Sequence, residues 1–144
     1  MNFNYIGLVA ALSTFLGVWF GHVAVRRIEF ISQTIWLPTL LFAAIGITFE
    51  AFSLSTPNLL LATGSGILGF TFLWDALEFT RQQNRIKKGY APANPKNLRH
   101  RRLMQEYDSV TTIDVLKREP LGRPVSHSES VQLVSAYNLT LSKH

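Results

Sequence analysis

LLLATGSGILGFTFLWDALEFTRQQNRIKKGYAPANPKN, residues 59–97, passes without a break from a charge-free apolar run into a basic, proline-punctuated one. Its first part holds no Asp, Glu, Lys or Arg before Asp75, and the same is true of Met1–Val25 and Phe30–Phe49. A hydrocarbon core about 30 Å thick is crossed by about 20 helical residues at about 1.5 Å each, so each run is long enough to span it. Lipid offers backbone groups no hydrogen bonds, so these spans must be helical. The expected crossings are 5–25, 35–54 and 59–79, joined by a short link at 26–34 and the turn STPN at 55–58. The expected fold is an all-α membrane protein with three transmembrane helices, the third extended to Lys88. Gly89 stops that helix, Pro92 and Pro95 keep it from resuming, and an extended or irregular tail follows. The chain divides into a three-helix domain, 1–97, and a basic tail, 98–144.

Orientation follows from the cations. Arg26 and Arg27 lie in the first link, and Arg81, Arg85, Lys87, Lys88, Lys96, Arg99, Arg101 and Arg102 follow the third span, whereas the N-terminus and STPN carry no Lys or Arg. The positive-inside rule then predicts a cytoplasmic link and tail and an N-terminus outside. Trp19, Trp36 and Trp74 fall near the cytoplasmic interface, with Tyr5 at the opposite one. The first run has no basic segment before it and no small-residue cleavage site, so it reads as a retained span and not a signal peptide. The 144 residues carry a net charge of +5 and no cysteine, which excludes a disulfide framework, a thiolate nucleophile and cysteine-ligated metal sites.

Polar residues inside lipid are the candidates for a site. His22 and Asp75 share a depth about one turn inside the cytoplasmic ends of their spans, and a hydrogen bond between them would satisfy both. With Arg27, Glu29 and Glu78 they form the expected polar cluster, read first as glue between helices and second as a proton or ion relay. A lone membrane histidine makes His22 a weak candidate for a pigment or haem ligand, so no cofactor is expected. Glu50, near the outer end of the second span, is expected to snorkel or meet Tyr5. Gly64–Gly69 spells GxGxxG, but inside a lipid-spanning run it lacks the strand and acidic partner of a nucleotide site. Ala62 with Gly66, and Ser65 with Gly69, instead give small-xxx-small spacings for close helix packing, within the bundle or between subunits.

Arg81, Arg85, Lys87, Lys88, Arg99, Arg101 and Arg102 read as a patch for anionic lipid or a protein partner, not for nucleic acid. His100, within that run, reads as solvated. One or two short strands are expected in 108–116, DSVTTIDVL. His127 and Glu129 lack the spacing of a metal site, and the sequon at Asn138 would go unused on the cytoplasmic side.

The pieces GHVAVRRIEF, LGFTFLWDALEF and RIKKGYAPANP resemble an uncharacterised family of small bacterial membrane proteins classed as a domain of unknown function. The match covers roughly Asn4 to Asn97 and rests on His22, Arg27, Glu29, Pro38, Gly69, Trp74, Glu78, Gln82, Arg85, Lys88, Gly89, Tyr90, Pro92, Asn94 and Pro95. The resemblance implies three membrane helices in a bacterial inner membrane. It implies no activity, substrate or cofactor, and the tail after Asn97 departs from its pattern. Two functions stand against each other: a non-enzymatic accessory or scaffold subunit, docking on other membrane subunits or on itself, and an oligomeric transporter or channel component using His22, Glu50 and Asp75.

Overall fold

The computed structural model describes residues 4–114, together with Ser128, Val131 and Gln132. The described chain is all-helical: α1 (Tyr5–Ile31), α2 (Trp36–Ser55), α3 (Leu59–Lys87) and α4 (Leu98–Glu106). The first three helices are long and apolar enough to cross a membrane. Their outward sides carry Phe15, Leu40, Leu54 and Phe70 largely exposed. So much apolar surface is ordinary against lipid and untenable in water. His127, Glu129 and Asn138 lie outside the described residues.

Each apolar helix begins at an asparagine or near a proline, as free amide groups at a helix start require. Asn4 accepts from the Gly7 amide at 3.0 Å, and Asn58 from those of Leu60 and Leu61 at 3.0 and 3.3 Å. Pro38 sits in the first turn of α2, where its missing N–H has no intrahelical partner to lose. Hydroxyls inside the spans turn back on their own helices: Thr14, Thr48, Thr63 and Thr71 each donate to the carbonyl four residues earlier at 2.7–2.8 Å. That leaves none of these donors bare in a medium without water.

α3 is the central helix. α1 and α2 both pack along it, with little direct contact between them. Each outer helix presents a row spaced by four residues: Gly17, Gly21, Val25 and Glu29 from α1, and Pro38, Phe42 and Gly46 from α2. Phe42 meets Phe72 and Phe79 at centroid distances of 5.5 and 5.1 Å, and Val25 and Ala76 complete this core. The glycines of α3 are used within the bundle. A Cβ on Gly69 would stand 3.0 Å from the Gly46 carbonyl oxygen, and one on Gly66 would stand 2.9 Å from Ser53 Oγ. Ser53 also donates to the Ala62 carbonyl at 2.8 Å, which pins the α2–α3 register.

That register is directly testable, because the chain has no cysteine of its own. A Cβ on Gly66 would lie 3.7 Å from Ser53 Cβ, inside the span of disulfide-bonded pairs. Ser53→Cys with Gly66→Cys is expected to cross-link on mild oxidation, seen as a mobility shift reversed by reductant. Failure to cross-link in the folded protein would show a different α2–α3 register.

α3 ends as its sequence predicts. Lys88 closes the helix, and Gly89 takes φ +75°, a left-handed conformation that disfavours every side chain with a Cβ. A Cβ there would also strike the backbone carbonyl oxygen of Ser109. Gly89→Ala is therefore expected to cost about 1–2 kcal/mol from conformation alone, with the clash added, and to speed proteolysis between residues 89 and 114. An unchanged digestion rate would count against this turn.

After Gly89 the chain turns back under the bundle. Ile86, Ala91, Ala93 and Leu103 form a second core, flanked by Tyr107 and Val110. Residues 108–114 form no strand; they are held by the Ala93 amide donating to the Thr111 carbonyl at 2.8 Å and by Ser109 Oγ donating to the Lys87 carbonyl. These contacts are to a loop and to a helix end, and one backbone bond to Ala93 does not make a ladder.

Candidate functional site

The C-terminal carbonyls of α1 have no partners within the helix, and a distant segment supplies them. Asn94 Nδ2 donates to the Phe30 carbonyl at 3.1 Å, and Asn97 Nδ2 donates to those of Phe30 and Ser32 at 3.2 and 2.9 Å. Asn97 also caps α4, accepting from the Arg99 amide at 2.9 Å. Arg99 Nη2 donates to the Glu29 carbonyl and to Glu29 Oε1, both at 2.7 Å. One loop and the first turn of α4 therefore seal the end of α1.

Inside this seal are two ionisable side chains cut off from solvent, Glu29 and His100, at 1% and 0% exposure. His100 Nδ1 accepts the Asn94 amide at 2.8 Å, so its ring hydrogen is on Nε2, facing Glu29 Oε1 at 3.2 Å. Glu29 Oε2 and Arg99 Nη1 have no hydrogen-bond partner among the described residues, so the guanidinium holds the carboxylate through one nitrogen and one oxygen. Both nitrogens of His100 are engaged, which leaves no lone pair for a metal. Among the described residues no group of three or more His, Asp or Glu side chains could hold a metal ion.

The expected polar cluster separates into three places. Glu29 belongs to the seal. Glu78, also buried, meets Arg85 at 2.6 Å and Arg81 at 3.5 Å in the C-terminal part of α3. Asp75 turns toward α1, where its Oδ1 would lie 2.6 Å from a Cβ on Gly21. No hydrogen bond joins Asp75 to His22; the ring is exposed on α1, because residue 21 and not 22 faces α3. Arg27 is exposed. Glu50 Oε1 lies against Gly69, where a Cβ would come within 3.0 Å, so this carboxylate faces α3.

The basic patch is corrected in two positions. Arg99 is taken up by Glu29 and the α1 carbonyls, and His100 is buried and not solvated, because α4 turns both toward α1. Arg81, Arg85, Lys88, Arg101 and Arg102 remain exposed; Arg81 also lies over the Trp74 ring at 4.5 Å, and Lys87 over Tyr107 at 5.0 Å. Sequence reasoning missed α4 and the roles of Asn94 and Asn97. An asparagine followed by apolar Leu98 and Leu103 within a polar helical run is an N-cap signal that could have found the helix.

A cleft of about 730 Å³ lies beside the seal, lined by His22, Arg26, Arg27, Gln82, Pro92 and Asp114 among others. Arg26 and Asp114 pair across it at 3.7 Å, with both side chains partly exposed. In solvent such a pair is worth little, about 0–1 kcal/mol.

These features define a small helical protein with three helices able to cross a membrane, closed at one end by a polar seal. The sequence model of the family described as Domain of unknown function (DUF4491) matches residues 4–97, and the chain belongs to that family. No curated protein and no solved structure matches it. The matched segment ends at Asn97, so Glu29, Asn94 and Asn97 lie within the family segment, while Arg99 and His100, the two residues that meet Glu29 Oε1, lie beyond it.

Proposed function

We propose that this protein is a non-enzymatic accessory or scaffold subunit of a larger assembly in the bacterial inner membrane, with its N-terminus outside and its C-terminus in the cytoplasm. The observation that carries the reading is the seal. Glu29, His100 and Arg99 are engaged with one another and with helix-end carbonyls, a use of polar groups that builds a platform and turns these three side chains inward, away from any open site. The platform carries Arg81, Arg85, Lys88, Arg101 and Arg102 on its surface, suited to anionic lipid headgroups or an acidic face of a neighbouring subunit. The lipid-facing sides of α1 and α2 carry exposed apolar side chains, among them Phe15 and Leu40, suited to neighbouring helices. The cation asymmetry supports the orientation.

Extraction of the tagged chain in mild detergent, followed by mass analysis of what co-migrates, tests the reading. Stoichiometric foreign subunits are expected; a ring of identical chains supports the transporter alternative and defeats this one. Protease added outside intact spheroplasts is expected to spare the C-terminal end, and cleavage there overturns the orientation.

A further inference from the structure

We propose that the cleft between α1 and α2, floored by α3 and containing Asp75, binds a lipophilic organic cation. The site is separate from the seal and does not depend on the scaffold reading. α1 and α2 lean on α3 without closing on each other, and a cleft of about 360 Å³ remains between them. That volume is of the order of small-molecule sites, whereas a helix about 10 Å across would need an open groove. Its walls are aromatic: Trp19 and Phe20 from α1 face Phe49 of α2 and Phe72 of α3, the last two stacked at 5.8 Å and 29°.

Asp75 lines this cleft at 6% exposure, and no hydrogen bond or ion pair reaches it from any described residue; its titratable neighbours are His22, whose ring is exposed outside the cleft lining, and Glu78, paired with Arg85. A carboxylate in apolar surroundings without a partner is costly. Gly21 makes room for it, since any Cβ there would overlap the carboxyl group. Thr71, the one hydroxyl in the lining, already donates to the Ile67 carbonyl at 2.8 Å. The cleft therefore has one charge to offer, and it is negative. Aromatic faces around a carboxylate attract a positive charge and accept an apolar body, and repel an anion. A neutral polar ligand would find few partners, and a phospholipid phosphate would face like charge. The remaining chemistry is a cation with a bulky apolar frame entering from the lipid.

The test uses the intact chain in nanodiscs of zwitterionic phosphatidylcholine, with equilibrium dialysis of tetraphenylphosphonium and of its anionic isostere tetraphenylborate, and empty discs subtracted. One saturable site per chain is expected for the cation and none for the anion. Asp75→Asn is expected to weaken cation binding at least roughly tenfold at unchanged helicity, and Asp75→Glu to hold it within a few-fold. Phe20→Ala, which removes an exposed ring outside the core, keeps the test open if Asp75→Asn does not fold, and is expected to weaken binding roughly two- to fivefold. Equal uptake of both ions, or unchanged affinity in the folded variants, overturns the proposal. So does a photo-cross-linker at position 20 that captures a foreign transmembrane helix while the cation shows no saturable uptake; the cleft is then a helix-docking groove.

Discussion

Arg99→Ala is expected to release the segment 89–114 from the bundle. The substitution leaves Glu29, 1% exposed, with only the Nε2–H of His100 against its charge, and it removes the donor to the Glu29 carbonyl. Breaking a buried ion pair by removing one partner costs about 3–5 kcal/mol, because the remaining charge is stranded. Trypsin reaches Lys96, exposed in the loop, when that segment opens. Since cleavage follows the population of the open form, the rate after Lys96 should rise by roughly two orders of magnitude or more. Replacing both partners, Glu29→Gln with Arg99→Ala, should recover much of the loss, because the stranded charge is gone and only hydrogen bonds are missing. A rate unchanged in Arg99→Ala would mean that the asparagine contacts alone hold the seal.

Gly46→Leu is expected to force α2 away from α3. A Cβ at position 46 would stand 2.7 Å from Leu73 Cγ and 2.9 Å from the Gly69 carbonyl oxygen. Leu73 can swing aside, but the Gly69 carbonyl is backbone and cannot, so the two helices must separate at this contact. Overpacking of this kind costs about 1–3 kcal/mol, and lipid offers no hydrophobic drive to press the helices back together. Unfolding in mixed detergent should begin at lower denaturing-detergent fraction, and the yield of the Ser53→Cys/Gly66→Cys cross-link should fall. Gly64→Ala is the contrasting case. Its Cβ would meet Val9 Cγ1 at 3.3 Å and Ser13 Oγ at 3.4 Å, both on side chains that can yield, and the variant should stay within about 1 kcal/mol of the parent. Equal losses at positions 46 and 64 would defeat the packing argument.

Gly46, Gly64, Gly66 and Gly69 look alike in the sequence, and spacing alone marked only the last two. The pairing of Gly69 with Gly46 depends on which side of α3 meets α2, a choice that a charge-free run does not encode, since lipid-facing and helix-facing residues are both apolar. The same limit explains His22 and Asp75. Equal depth along two helices was legible, but rotation was not, and one residue of rotation puts Gly21, not His22, in front of the carboxylate. The family resemblance singled out Glu29 and Asn94 without saying that they meet at one helix end, 64 residues apart in the contact from Asn94 to Phe30.

The sequence by itself determined the class of object: three helices long and apolar enough to cross a membrane, and the stop at Gly89, because length, absence of charge and the left-handed turn are local properties of the chain; α1 runs on to Ile31, through most of the link expected at 26–34. Only the tertiary structure decided that α3 is central, that Arg99 and His100 leave the basic surface to close over Glu29, and that Asp75 opens on an aromatic cleft. Those outcomes depend on helix rotation and on contacts between residues far apart in the chain, where the free energy comes from unpaired groups finding one another across the fold.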